Sequence, residues 1–245
     1  MVPKSRPVSG SSATRLRAGQ KAVFSAQEDV VQKSGRPIDL YVHLGDMAYT
    51  RGGDGEFQVK FFEIYESRLR NTVCWPTMRN HEGLTSEGKH GTGPYYDAYV
   101  LPARGEAAGV PPGTEPYYSF DYGPIHFVCP DSFDLDRSTD AAMAVWLKED
   151  LKKTQAKWLI AFWHHPPYTL GSDNSNTERP LVDMRENRSP LQCAAPSAAL
   201  TGRTGWGSVP VIAPPASFNY SSGIPANTTG LHPVGRQQPQ THKRR

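Results

Sequence analysis

The sequence has few of the features that mark a membrane protein, a disulfide scaffold or a zinc-thiolate site. No apolar run approaches the roughly 18 residues that a membrane-spanning helix needs, so we expect no membrane partner. Only three cysteines occur in 245 residues, far apart and without a C-x-x-C pair. Neither a disulfide framework nor a thiolate metal site is therefore predicted. Residues 1–20 contain basic side chains but no apolar segment of a signal peptide, which leaves the localisation open.

Acidic residues are absent from the end of the chain. All 24 Asp and Glu lie between Glu28 and Glu186, whereas residues 187–245 carry basic residues and many prolines. A Pro/Ser/Gly-rich composition without periodic pattern is typical of disorder. The sequence therefore predicts a disordered segment over 1–17, a folded domain over 18–187 and a basic, disordered tail over 188–245. The tail lacks interleaved aromatic residues, so a solvated end is a better interpretation than a nucleic-acid partner.

Between these ends, apolar residues follow helical and strand periods in turn, which predicts an α/β protein. Helices are expected over 18–34, 56–70 and 140–154, strands over 38–44, 71–76 and 158–163, and a hairpin formed by 117–121 and 125–129. The expected inward face of the first helix consists of Ala22, Val23, Phe24, Ala26, Val30 and Val31. With 37% hydrophobic residues, the chain can bury a core.

Polar side chains follow three of these strands. Asp46 and Tyr49 come after the first strand, Asn80 and His81 after the second, and His164 with His165 after the last. Ligands bind beyond the carboxyl ends of strands in open α/β sheets, so we expect the three clusters to converge. Carboxylate, amide and imidazole donors suit Fe, Zn or Mn, and an ionised tyrosine suits ferric iron. The alternative interpretation is that these residues bind no ligand: Asp46 would form a turn, and His164 and His165 would be structural histidines.

Three motifs together resemble the purple acid phosphatase branch of the metallophosphoesterases, the calcineurin-like phosphoesterase superfamily. They are Gly45-Asp46-Met47-Ala48-Tyr49, Asn80-His81-Glu82 and His164-His165-Pro166. The resemblance implies a sandwich of two mixed β-sheets packed face to face, with helices outside. It also implies a metal-dependent phosphatase that hydrolyses a small phosphomonoester or other phosphorylated substrate. Members of this branch are often secreted or periplasmic.

The resemblance also implies roles for the site residues. Asp46 would bridge a binuclear centre of Fe with Zn, Mn or Fe, Tyr49 would bind the ferric ion, and Asn80 and His164 would bind the divalent ion. His81 would lie beside the phosphate and protonate the leaving alkoxide. His165 would contact the phosphate. Two cations of this kind polarise the phosphoryl group and generate hydroxide from bound water.

The sequence departs from the family pattern at three places. The family's D-x-G before the first strand and its closing G-H-x-H are not present, so four of seven expected ligands remain and the domain is expected to be truncated at both ends. Arg79 stands where the family has glycine, and its charge could repel a metal or pair with phosphate. Two interpretations follow: a phosphoric monoester hydrolase impaired by missing ligands, or a catalytically inactive domain that binds phosphate or a protein partner.

Overall fold

The computed structural model describes the backbone of residues 12–165 and 211–213, and the side chains of residues 19–165. The helical segments are α1 (Ser12–Ser34), α2 (Asp54–Phe57), a π-helical segment (Gln58–Phe62), α3 (Glu63–Leu69), a 3-10 turn (Glu82–Leu84), α4 (Pro94–Ala98) and α5 (Ala142–Lys153). The strands are β1 (Tyr41–His43), β2 (Cys74–Pro76), β3 (Tyr118–Tyr122), β4 (Ile125–Cys129), β5 (Trp158–Ala161) and β6 (Val211–Ala213). Within these ranges no helix is both long and apolar enough to span a bilayer.

Helix α1 begins at Ser12, earlier than expected, so part of the segment predicted to be disordered is helical. It contacts α3 through Phe24, whose ring meets that of Tyr65 edge-on at 4.9 Å, and through an ion pair between Glu28 and Arg68. The expected inward face is only partly covered. Its exposed members are Ala22, Val23, Ala26 and Val30. Helical periodicity predicted the helix correctly, but it overestimated the apolar area that this helix buries.

Strands β1 and β2 form a parallel pair joined by the helical stretch from α2 to α3. Tyr41 pairs with Cys74 and His43 with Pro76. Both strands are shorter than predicted, although the backbone bond from Thr77 N–H to His43 oxygen at 2.9 Å continues the pairing beyond β2. Parallel strands end at the same edge of a sheet. The segments that follow β1 and β2 are therefore neighbours.

The second sheet has the strand order β3-β4-β5-β6. The hairpin of β3 and β4 turns at Gly123-Pro124, as the sequence predicted, and β5 lies parallel to β4 after the α5 crossover. Strand β6 pairs antiparallel with β5. The tail predicted to be disordered therefore contributes a strand, and the rest of that tail lies outside the described residues. The second sheet is mixed, whereas the described part of the first is purely parallel.

The two sheets pack face to face through aromatic rings. Trp75 of β2 stacks on Phe120 of β3 with ring centroids 3.7 Å apart, and Phe120 stacks in turn on Phe127 of β4. Helix α5 covers the opposite face of the second sheet with Met143, Trp146 and Leu147. This arrangement of two sheets with outer helices is the predicted α/β sandwich. It brings the end of β5 close to the ends of β1 and β2.

The cysteines take no part in a disulfide within the described chain. Cys74 and Cys129 are free thiols, and burial raises the pKa of each to about 12. Cys193 lies outside the described residues. The two described thiols therefore act as apolar packing groups, in agreement with the expectation from their spacing.

Candidate functional site

The segments after β1, β2 and β5 meet at one edge of the sandwich. Arg79, after β2, forms an ion pair with Asp46, after β1. His164, after β5, bonds through Nδ1 to the backbone oxygen of Leu44 at the end of β1. The structure thus brings together the three polar clusters that the sequence placed at strand ends.

The close approach of these segments depends on Gly45. Its φ is +85°, and a Cβ built on it would lie 2.9 Å from His164 Nδ1 and 3.0 Å from the Cβ of Arg79. Asp46, the next residue, also has a positive φ of 62°. Short polar residues tolerate this conformation better than most non-glycine residues. The turn therefore aims the Asp46 carboxylate into the site at some cost in backbone energy.

One oxygen of Asp46 is already engaged. Its Oδ2 accepts hydrogen bonds from the Tyr49 hydroxyl and from the Arg79 guanidinium, and Arg79 Nη1 also lies 3.3 Å from the Tyr49 oxygen. Burial and the bond to Asp46 raise the pKa of Tyr49 above its usual value. The phenol is therefore protonated at neutral pH in this arrangement.

Two other oxygens of the site are buried and unpaired within the described part of the chain. They are Oδ1 of Asp46 and Oδ1 of Asn80. A buried acceptor without a hydrogen bond costs about 1–3 kcal/mol, so such atoms commonly mark the position of a water or ion. Carboxylate and amide oxygens are ligands that hard cations prefer.

His164 is buried and electrically neutral. Burial, together with the charges of Arg79 and His165, lowers its pKa to about 2. A bond in which Nδ1–H donates to the Leu44 carbonyl leaves the lone pair of the ring on Nε2. Histidines that bind metals are commonly held this way, by a backbone carbonyl on the other nitrogen.

His81 lies beside the Asp46–Tyr49 pair. Its ring is tilted against that of Tyr49 with centroids 4.1 Å apart, and its Nδ1 lies 2.7 Å from the backbone oxygen of Thr50. That carbonyl favours a proton on Nδ1 and fixes the direction of Nε2. The ring is half-buried and so remains accessible from the site edge.

The ring of His165 meets that of His164 edge-on, with ring centroids 5.1 Å apart, and is fixed by contacts of its own. Its ring is buried and stacks on Phe133, and its Nδ1 lies 3.0 Å from the hydroxyl of Ser132. Burial lowers its pKa to about 4, with Arg79 and Arg137 adding to the effect. These contacts support a structural histidine, and the predicted contact with phosphate stays a prediction.

Glu82 is the residue of the site that the sequence reasoning missed. It is fully buried, and its carboxylate accepts bonds from the backbone N–H groups of Asp46 at 3.0 Å, Ala48 at 3.0 Å and Arg79 at 3.2 Å. Burial raises its pKa. Glu82 therefore ties the segment after β1 to the segment after β2. Its place directly after Asn80-His81 is a signal, but nothing in the sequence shows its burial.

Comparison with protein families decides the lineage of this site. The sequence model of the calcineurin-like phosphoesterase family matches residues 19–190 of this chain. The chain belongs to the calcineurin-like phosphoesterase family. The family is generally metal-dependent.

Two curated relatives narrow the resemblance within the calcineurin-like phosphoesterases. Purple acid phosphatase 23 of Arabidopsis thaliana is 33% identical over 55% of this chain and 34% of its own length. Purple acid phosphatase 15 of Arabidopsis thaliana is 41% identical over 22% of this chain and 10% of its own length. The chain thus spans about a third or less of these relatives. Within the calcineurin-like phosphoesterase family, the chain is therefore similar to purple acid phosphatases.

The donor atoms of this site fit a hard cation, but they are few. Asp46 Oδ1, Asn80 Oδ1 and the neutral ring of His164 have the chemistry that such a cation requires. Among residues 19–165, however, no three His, Cys, Asp or Glu side chains group closely enough to form a metal cluster. The described donors can therefore begin a coordination shell that water or other residues must complete.

Proposed function

We propose that this chain is a phosphoric monoester hydrolase of the purple acid phosphatase type. The observation that carries the proposal is the meeting of Asp46, Tyr49 and His164 at one sheet edge, with His81 against Tyr49. A small phosphomonoester is the proposed substrate. The family match supports the hydrolytic class, and the similarity to the two plant phosphatases supports the monoester substrate.

The proposed metal site uses donors from all three segments. Asp46, Asn80 and His164 would hold the metal, of which Fe, Zn and Mn suit these oxygen and nitrogen donors. When bound, the metal would polarise the phosphoryl oxygens and lower the pKa of a bound water. The neutral state of His164 and the Nδ1 bond to Leu44 support its role as a ligand, because only a neutral imidazole can donate a lone pair.

His81 is the proposed general acid. The carbonyl of Thr50 holds Nδ1, so that the Nε2–H of the charged ring is left to protonate the leaving alkoxide. Glu82 positions this apparatus through the backbone of Asp46 and Arg79. His165 is proposed to contact phosphate only if its ring leaves Ser132, since that bond occupies Nδ1.

Hydrolysis of β-glycerophosphate, whose leaving group is an alkoxide, by the full chain supplied with Fe, Zn or Mn tests the proposal. We expect turnover by the wild type and a loss of about 10²–10⁴-fold in kcat for His81→Asn, which is the usual contribution of a general acid. His90→Asn is the matched control, because His90 is exposed and forms an ion pair with the exposed Glu87. Its rate should equal that of the wild type.

The competing function is a catalytically inactive domain that binds phosphate or a protein partner. The ion pair of Arg79 with Asp46 favours it, because that pair already neutralises the carboxylate without a metal. Under this alternative, no metal supplement gives turnover, while inorganic phosphate raises the Tm of the wild type. Turnover that His81→Asn does not reduce would contradict the role of His81 but not the phosphatase activity.

A further inference from the structure

Arg79 occupies a position that a cation would otherwise take. Its Nη1 contacts Asp46 Oδ2 and lies 3.3 Å from the Tyr49 oxygen. Asp46 and Tyr49 are the two residues that the resemblance assigns to the ferric ion. The side-chain oxygens proposed for that ion are therefore both engaged by a guanidinium.

The other half of the site contains two oxygens that accept no hydrogen bond within the described residues. They are Asp46 Oδ1 and Asn80 Oδ1, which are both buried. His164 has its Nδ1 fixed on the Leu44 carbonyl. These three residues are the ones assigned to a divalent ion, with Asp46 as the shared ligand. The two oxygens of Asp46 thus differ: Oδ2 contacts the Arg79 guanidinium, whereas Oδ1 accepts no hydrogen bond within the described residues.

Arg79 is also difficult to displace or to discharge. Its backbone N–H donates to the buried carboxylate of Glu82, and its side chain is 17% exposed. A guanidinium cannot lose its proton in a protein, unlike a lysine or a histidine. A metal ion at Asp46 Oδ2 would therefore have to approach a fixed positive charge at close range, which Coulomb repulsion opposes.

We propose that the site holds one divalent cation, bound by Asp46 Oδ1, Asn80 and His164, and that the Arg79 guanidinium supplies the second positive charge. The inference rests on the proposed function, because it assumes that these residues bind metal. A fixed guanidinium can neutralise Asp46 and attract a phosphate group without a second metal. The site then contains two positive charges of different kinds, one metal ion and one arginine guanidinium.

The metal content of the full chain tests this inference directly. The wild type and each variant are loaded with Zn²⁺, or with Fe and Zn²⁺ together, freed of excess metal, and measured by elemental analysis. We expect one metal ion per wild-type chain. Asn80→Ala should reduce the value toward zero, whereas Tyr49→Phe should leave it at one, because only Asn80 belongs to the metal half.

Substitution of Arg79 tests the part played by its charge. Arg79→Gln, which removes the charge at similar size, should raise the content toward two metals, and iron loading should then produce visible tyrosinate-to-iron absorption. Arg79→Lys keeps a positive charge and should stay at one. Circular dichroism of each variant confirms that it is folded. Two metals in the wild type, none in the wild type, or one in folded Arg79→Gln would each overturn the inference.

The same preparations separate this inference from the proposed function. One metal per chain without hydrolysis of β-glycerophosphate would contradict the proposed activity and leave the inference standing. Two metals per chain with hydrolysis would contradict the inference and support the activity. The readouts are independent, since metal content does not require turnover.

Discussion

Arg79 and Glu82 lie three residues apart and act on the site through different groups. Arg79 contributes a side-chain charge to Asp46. Glu82 contributes three hydrogen bonds to backbone N–H groups and no direct contact with the side chains proposed to bind metal. The buried Glu82 carboxylate, through its three hydrogen bonds, thus fixes the backbone after β1 against the backbone after β2.

Substitution of Glu82 by glutamine should destabilise the protein. Oε2 accepts two of the three bonds and Oε1 the third, so the amide nitrogen would have to face at least one backbone N–H. Two opposed donors in a buried position cost about 1–3 kcal/mol. Urea unfolding of Glu82→Gln, compared with the wild type, measures this loss as a lower transition midpoint.

The control for Glu82→Gln is Glu87→Gln, which makes the same chemical change at an exposed residue. Glu87 pairs with His90 at 2.9 Å at the surface, and exposed pairs contribute about 0–1 kcal/mol. Its free energy of unfolding should therefore change little. Equal losses in the two variants would show that the bonds of Glu82 do not stabilise the fold.

At the scale of elements, α1 shows how a helix can be held by few contacts. Phe24 meets Tyr65 of α3, and Gln20 Nε2 donates to the Lys60 backbone oxygen at 3.0 Å. Val23, by contrast, is 72% exposed. The docking of α1 therefore depends on a few side chains on one side of the helix.

Truncation of Phe24 should cost more than truncation of its neighbour. Phe24→Ala removes a half-buried ring and its edge contact, for which we expect about 1–2 kcal/mol. Val23→Ala removes exposed methyl groups and should change stability by less than about 0.5 kcal/mol. Urea unfolding of the two variants gives the comparison, and hydrogen exchange of α1 amides shows whether the helix is loosened. A larger loss for Val23→Ala would contradict the described packing.

Local sequence patterns predicted most helices and strands. They did not predict features that depend on contacts between residues far apart in the sequence. The hairpin of β3 and β4 was predictable because Gly123-Pro124 separates two apolar runs. The meeting of the segments after β1, β2 and β5 followed from their places at strand ends. Pairing of β6 with β5 was not predictable, because it joins residues about 50 positions apart in a segment of disorder-like composition. The direction of the Arg79 side chain toward Asp46 also depends on packing that no period encodes.

At the scale of the whole molecule, one buried histidine connects the second sheet to its covering helix. His126 of β4 bonds through Nδ1 to Asp121 of β3 at 2.5 Å and through Nε2 to Asp150 of α5 at 2.7 Å. Asp150 also accepts bonds from the Val110 N–H and the Ser119 hydroxyl. Burial by itself would lower the pKa of His126, but the bonds to Asp150 and Asp121 outweigh it and the pKa is raised.

The raised pKa of His126 should make stability fall as the pH rises. The folded protein holds this proton more tightly than the unfolded chain, so the contribution is complete below about pH 6.5, the usual histidine value. It is lost as the pH rises through the higher, folded-state pKa. His43 acts in the opposite range, because burial lowers its pKa to about 4 and its contribution is lost as the pH falls. Urea unfolding from about pH 6.5 to 8 therefore reports mainly on His126, because the raised pKa values of the Cys74 and Cys129 thiols lower stability only near and above about pH 8.5. His126→Gln should remove the decline in the free energy of unfolding over this pH range, whereas the exposed control His90→Gln should keep it. An unchanged decline in His126→Gln would show that the hydrogen bonds of His126 to Asp121 and Asp150 do not hold the proton.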